Sequence, residues 1–387
     1  MIYLFFFFFL YIFSFFEVAT DKSYCKKNVN ISYFFLFCYF VILAGCRYKT
    51  GYDWNAYMSF FERINDSHTF GKMETGYAWV NYFFKNCFDS YALMQFTEVF
   101  LCTLVLFKFC KLYSPYPFLS LFIYASSLFF SYNMGLTRQF IAMSVSMITA
   151  MLILSGKSLP ALASVALAFL FHKSSLVTLL FFVCNKVRLR KSFLVMLVVF
   201  SAFLNLFGAA LVWEISETVF SLPFFPSALR KYSYYFANLI WASKMEYSSG
   251  LGFLLRMVLL LTVFIFKKNG TPSQNFVFNA VLVGLFIAAF GRNIVIIARL
   301  AKYFEMFEII LYAYLFELLR QKSIPFFRPV IFLPLLLYFL IAPYRFTKAI
   351  SNVDGNSSWA MFSPWNSVFF LVENSERNAR MKNINGF

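Results

Sequence analysis

Histidine is scarce. The 387 residues hold two, His68 and His172, which argues against a His-rich zinc site. No two aspartates stand two apart, so there is no D-x-D to hold a metal with a nucleotide-sugar diphosphate. A sugar-transferring protein without that motif is expected to take a lipid-linked donor. No G-x-G-x-x-G exists. Gly156-Lys157-Ser158 has the ending of a P-loop, but Met151 stands where its first glycine must be. The seven cysteines (Cys25, Cys38, Cys46, Cys87, Cys102, Cys110, Cys184) form no C-x-x-C pair, and several lie in apolar runs as small hydrophobes. A Cys46–Cys87 disulfide on the outer face fits the pattern, with nothing else to support it. Neither a metal nor a cofactor is expected. There is no internal repeat and no low-complexity tract beyond Phe5–Phe9. Charge is the largest deficit: 13% of residues are charged, against about 25% in soluble domains, so a soluble fold is excluded.

Apolar residues are abundant instead, at 61%, with 58 phenylalanines. Apolar runs recur at about 2–19, 31–46, 92–108, 117–131, 139–155, 160–184, 193–213, 251–266, 275–291, 296–319 and 329–343. A helix needs about 20 residues to cross a bilayer. The pattern predicts an all-α polytopic integral membrane protein, residues 1–387 forming a single transmembrane domain of about 10–12 membrane segments. Met1–Val18 reads as a retained span, having neither a basic n-region nor a clear small-residue cleavage site. Net charge is +17, which in a soluble protein would suggest nucleic acid. Here the lysines and arginines cluster in short loops, as the positive-inside rule requires, so the partner is the lipid bilayer and no nucleic acid is expected.

Those loops set the topology. Lys22, Lys26 and Lys27; Lys108 and Lys111; Lys157; Lys186 to Lys191; Lys267 and Lys268; and Arg320 to Arg328 all belong on the inner side. Consecutive basic loops must then be separated by an even number of crossings. One interval fails: a single run of about 25 residues lies between Lys157 and Lys186. A re-entrant or short-helix hairpin around residues 160–185 repairs it, with 160–171 rising, 175–185 returning and His172 at the tip. Both termini then lie outside. The outer stretches are about 47–91, 132–138, 214–250 and 344–387. The first mixes balanced charge with many aromatics, as an ordered loop that lies on the membrane and binds something polar.

Ionisable residues gather on that outer face. A charge at the bilayer centre costs about 2.5–3.5 kcal/mol even on the lenient scale, so such residues usually face a cavity. Arg292 and Arg299, seven apart, share a helix face about 10.5 Å apart, and Tyr303 extends it. Cations on one face suit a pyrophosphate, which the planar arginine fork grips well. The plainer reading has these arginines snorkelling to the interface or paired with Glu305 or Glu308. Arg138 at a helix mouth has the same plainer reading, as an anchor. His172 alone reads as a satisfied polar tip, Asp53 and Glu74 as solvated loop acids, and Arg256 and Glu98 as structural.

In order, the chain carries Arg-x-x-x-Gly-x-Asp-x-x-x-Tyr (Arg47, Gly51, Asp53, Tyr57), Glu-x-Gly (Glu74, Gly76), Arg-Gln-x-x-Ala (Arg138, Gln139, Ala142) and His-x-Ser (His172, Ser174). This ordered set resembles the EpsG family of membrane polysaccharide polymerases, of the Wzy type that builds O-antigen. The resemblance is firm over about 30–180 and weaker over 290–305 and at Phe362-Ser363-Pro364-Trp365. Tyr52 stands where that family often has a small polar residue. The resemblance implies a glycosyltransferase in the bacterial inner membrane that joins undecaprenyl-pyrophosphate-linked repeat units at the periplasmic face, with a chain-length regulator as partner. It makes Arg47, Arg138, Gln139, Arg292, Arg299 and Tyr303 the pyrophosphate-binding candidates. Asp53, Glu74 and His172 become candidates for the base, Asp53 favoured. O-antigen ligase and polysaccharide flippase or transporter are the rival functions; a membrane acyltransferase rests on His172 alone.

Overall fold

The computed structural model describes residues 2–19, 22–66, 68–187, 195–203, 250–266, 270–290, 295–321, 362 and 365–369. The protein is an all-α polytopic membrane protein, and among the described residues the one extended pairing is an isolated bridge between Arg47 and Ser367. The helices are α1 Ile2–Ala19, α2 Lys22–Gly45, α3 Trp54–Glu62, α4 Thr75–Phe88, α5 Tyr91–Tyr113, α6 Pro117–Ser127, α7 Phe129–Tyr132, α8 Thr137–Leu154, α9 Ser158–Phe171, α10 Leu180–Lys186, α11 Gly250–Phe266, α12 Pro272–Phe290 and α13 Val295–Gln321. Residues 195–203 are also helical. Among the described residues four helices are long and apolar enough to cross a membrane by length and composition alone: Ile2–Ala19, Tyr91–Tyr113, Thr137–Leu154 and Pro272–Ala289.

Three boundaries differ from the sequence reading. The run 117–131 is two helices broken at Leu128, not one span. The basic stretch Lys22–Lys27 belongs to the start of α2, because lysine is a good helix former and the helix continues past its apolar segment. Within the stretch 47–91, α3 and α4 are formed helices with a 3₁₀ turn, Phe70–Lys72, between them. The expected reversal at 160–185 takes the form of α9, a 3₁₀ segment Lys173–Leu179 packed back on α9, and the short α10. The predicted span 329–343, the loop 214–249 and most of the tail 344–387 lie outside the described residues.

Lipid tails are as apolar as leucine, so contact between spans comes from close packing and hydrogen bonds. Two aromatic knots supply much of it. Phe6 of α1 lies 4.8 Å from Phe40 of α2 and 5.1 Å from Phe129, while Phe181 of α10 meets Phe276, Phe304 and Phe307 at 5.8, 5.4 and 5.2 Å. Each such pair adds about 0.5–1.5 kcal/mol beyond its buried area. At Gly284 a β-carbon would come within 2.5 Å of Phe304 Cβ, so the missing side chain lets α12 and α13 approach. Glu17, buried in α1, accepts from Leu119 N–H at 3.1 Å and caps the N-terminus of α6. Leu4, Phe34 and Leu159 are 72%, 67% and 78% exposed, as side chains facing lipid are. Around α8 stand α5, α9 and α10; α13 packs on α6, α11, α12 and the 3₁₀ segment that follows His172.

Candidate functional site

The segment after α2 is held from three sides. Gly51 has φ +103°, and a β-carbon there would sit 1.8 Å from Met134 O, so the chain lies directly on the turn that leads into α8. Gln95 of α5 donates to Gly45 O at 2.8 Å and Arg47 O at 2.9 Å, and accepts from Trp54 Nε1 at 3.0 Å. The returning C-terminal segment closes the third side. Tyr48 N–H donates to Asn366 O, Val368 N–H to Cys46 O, and Trp365 Nε1 to Leu43 O at 2.9 Å. Phe362 packs on Tyr52 and accepts at its carbonyl from Tyr3 Oη at 3.0 Å. These contacts fix Asp53, which opens α3 without bonding its first turn through the side chain.

Arg47 is not at the surface of this site. It is 1% exposed, with Nη1 donating to Ala44 O at 2.5 Å and Nη2 to Thr137 Oγ1 at 3.4 Å. Glu98, Tyr57, Tyr77 and Tyr91 surround it, so it supports the outer end of α8 from inside the fold.

Above it the motif residues converge. Arg138 stands in the first turn of α8 and pairs through Nη1 with Glu74 Oε2 at the start of α4. Its guanidinium lies 5.8 Å from the centre of the Tyr57 ring. Gly76 makes the approach feasible: a β-carbon there would meet Leu170 at 2.9 Å, so α4 lies against the end of α9. Two residues beyond Leu170, His172 leaves the helix in an extended conformation (φ −158°, ψ 118°). Its Nδ1 lies 2.5 Å from Ser174 Oγ and 3.3 Å from Tyr303 Oη of α13. Ser174 donates its one hydroxyl proton to Tyr303 Oη at 3.2 Å. The three side chains close a small hydrogen-bonded triangle in which His172 Nδ1 lies against both hydroxyls. Gln139 donates to Arg299 O at 3.2 Å and ties α8 to α13 one turn before Tyr303.

Charge orders the cluster. Burial raises the Asp53 pKa, and the positive fields of Arg138 and Arg299 oppose the rise. Burial lowers His172 to about 4; Arg138 and Arg299 push the same way and Glu74 opposes them, so the imidazole is neutral near pH 7. Burial and then Asp53 raise the Tyr57 phenol to about 12, so it stays protonated. The acids that the sequence offered to Arg299 go elsewhere. Glu305 takes Lys302 at 2.7 Å and Arg256 at 3.6 Å, and Glu308 takes Arg256 at 3.4 Å. Among the described residues Arg299 has no ion-pair partner and is exposed.

The structure thus gathers Asp53, Glu74, Arg138, His172, Arg299 and Tyr303, with Gln139 behind them, and keeps Arg47 inside. Arg292 lies outside the described residues. Sequence reasoning placed Tyr57 and Ser174 in motifs without giving either a role; the Asp53–Tyr57 spacing of one helical turn and the His-x-Ser spacing were the available signals. Cys46 and Cys87 are both free thiols. Among the described residues no group of three His, Cys, Asp or Glu could hold a metal ion. Chemically, two guanidinium groups can take a multivalent anion while carboxylate and imidazole lone pairs stand beside them to accept a proton.

Comparison with known proteins adds one positive finding. The chain matches the EpsG family over residues 30–359. No curated protein and no solved structure matches. The match covers most of the chain, which therefore belongs to the EpsG family, a family of Wzy-like polysaccharide polymerase-type membrane proteins. It is a multi-pass membrane protein of polysaccharide biosynthesis.

Proposed function

We propose that this EpsG-family protein is the polymerase that joins undecaprenyl-pyrophosphate-linked oligosaccharide repeat units into O-antigen or a related surface polysaccharide. It works at the periplasmic face of the bacterial inner membrane. The convergence of Arg138 and Arg299 with Asp53, Glu74 and His172 at the mouth of α8 carries this reading.

In the reaction, a hydroxyl of the acceptor unit attacks the anomeric carbon of the donor chain. The new glycosidic C–O bond forms as the bond from that carbon to the diphosphate oxygen breaks. The lipid diphosphate leaves with the electron pair, and the hydroxyl proton passes to a base. Arg138 and Arg299 stabilise the charge that grows on the leaving diphosphate. Asp53 is the favoured base, because burial makes its carboxylate more basic than a solvated one. His172 is the other candidate, its ring held through Nδ1 by Ser174. Arg138 also lies over the Tyr57 ring, 5.8 Å from its centre, as a cation–π pair does. Removing one such charge-stabilising group costs roughly 10²–10³ in rate.

The test is a lipopolysaccharide gel from a strain deleted for this gene, with wild-type or Arg138→Ala protein restored. Collapse of the ladder to core plus one repeat unit, rescued by wild type and not by Arg138→Ala, is the expected result. Loss of all O-antigen from the core would identify a ligase instead. A ladder that survives deletion would remove the function altogether.

A further inference from the structure

Arg138 and Glu74 were read from the sequence as an anion-binding group and a base, yet they hold each other. Their side chains are 28% and 14% exposed, so the pair sits at the rim of the cluster where an incoming group can reach it. It differs from the other ion pairs nearby. Lys302, Arg256, Glu305 and Glu308 are joined along and between α11 and α13, where Arg256 is shared by both acids. Glu74 has one charged partner, and its carboxylate makes no bond to the first turn of α4. Releasing it therefore breaks no helix cap. Arg138 Nε is buried with no hydrogen-bond partner, and it is the outer Nη1 of the guanidinium that meets Glu74. Two arginines and two acids make the cluster neutral overall, and a diphosphate added to it leaves an acid surplus.

We infer, on the polymerase reading of this site, that Glu74 stands in for substrate phosphate: the donor diphosphate takes its place on Arg138, and the displaced carboxylate turns to His172 and the open first turn of α4. A carboxylate is a planar anion of the size that the guanidinium fork accepts, and a diphosphate with more charge and more oxygens outcompetes it when Arg299 is engaged at once. After burial, the charge of Glu74 is the largest electrostatic influence on His172, and Tyr303 Oη lies 3.3 Å from its Nδ1. A negative group beside His172 strengthens the imidazole as a base. Donor binding thereby also makes His172, the second candidate base beside Asp53, more basic, and the donor chain binds before the acceptor unit reacts.

Geranyl diphosphate, bound to the purified full-length protein in lipid nanodiscs, reads this directly. Glu74→Gln removes the competing charge and is expected to bind it about tenfold tighter than wild type, which corresponds to about 1.4 kcal/mol. Glu74→Asp keeps the charge with a shorter reach and is expected to fall between them, and it serves if Glu74→Gln does not fold. Arg138→Ala is expected to bind at least tenfold weaker. If Arg138→Ala binds weaker while both Glu74 variants bind like wild type or worse, the stand-in role is overturned and the site reading stands. If Arg138→Ala binds like wild type, the site reading itself is overturned. Under saturating donor, Glu74→Gln should also polymerise more slowly despite its tighter binding, and an unchanged rate would remove Glu74 from base activation.

Discussion

Three residues show how single positions set this site. At Gly51 a positive φ coincides with a backbone oxygen where a β-carbon would go. Gly51→Ala is therefore expected to cost about 2–4 kcal/mol through strain and overpacking; the check is the thermal midpoint of the purified protein in detergent. Arg47 shows the limit of reading a motif. The sequence marks it as ionisable and near the outer face, but whether its guanidinium points to substrate or inward depends on Thr137 and Glu98, which are remote in sequence. Asp53 carries a pH prediction. Its pKa lies above the ordinary carboxylate value, and as a base it works only when ionised, so the rate should rise with pH through that pKa. Arg299 lowers this pKa. In Arg299→Gln the residual activity should have its acid limb at higher pH, and an unmoved limb would show that another group titrates.

Helices that look minor carry the geometry. The reversal between Lys157 and Lys186 was legible in the sequence, because charge parity demanded two short arms where one apolar run is written; α9, the 3₁₀ segment and α10 are those arms. The role of α4 was not legible, since nothing local tells that Gly76 rests on Leu170. A leucine at position 76 should push α4 off α9, part Glu74 from Arg138 and lower polymer yield more than tenfold, with the protein still membrane-inserted. Gel ladders and membrane fractionation together check this. The face of α13 was half legible. Its spacing predicted Arg299 and Tyr303 in a row with Arg292, which lies outside the described residues, and α11 supplies Arg256, the arginine that decides which acids remain for Arg299.

Across the whole molecule, the basic loops and apolar runs were enough to assign the class and to put the motif residues at one end of the bundle. The 18 residues of α8 span about 27 Å, close to the thickness of a hydrocarbon core, so Arg138 and Lys157 are expected on opposite sides. A membrane-impermeant maleimide should label the exposed native Cys87 in spheroplasts. In a Cys87→Ser background, Lys157→Cys should be labelled only after the membrane is opened. Labelling of Lys157→Cys from outside would invert the orientation. The contacts of Phe362 and of residues 365–368 were invisible in the sequence, since they join positions more than three hundred apart. They also have a consequence in time. A ribosome makes the motif loop early and the segment that pins it at the far end of translation. Until Trp365 reaches Leu43, the nascent chain can be threaded into the bilayer with its catalytic groups present yet unassembled, so a product cut short before Phe362 would be inserted and inert.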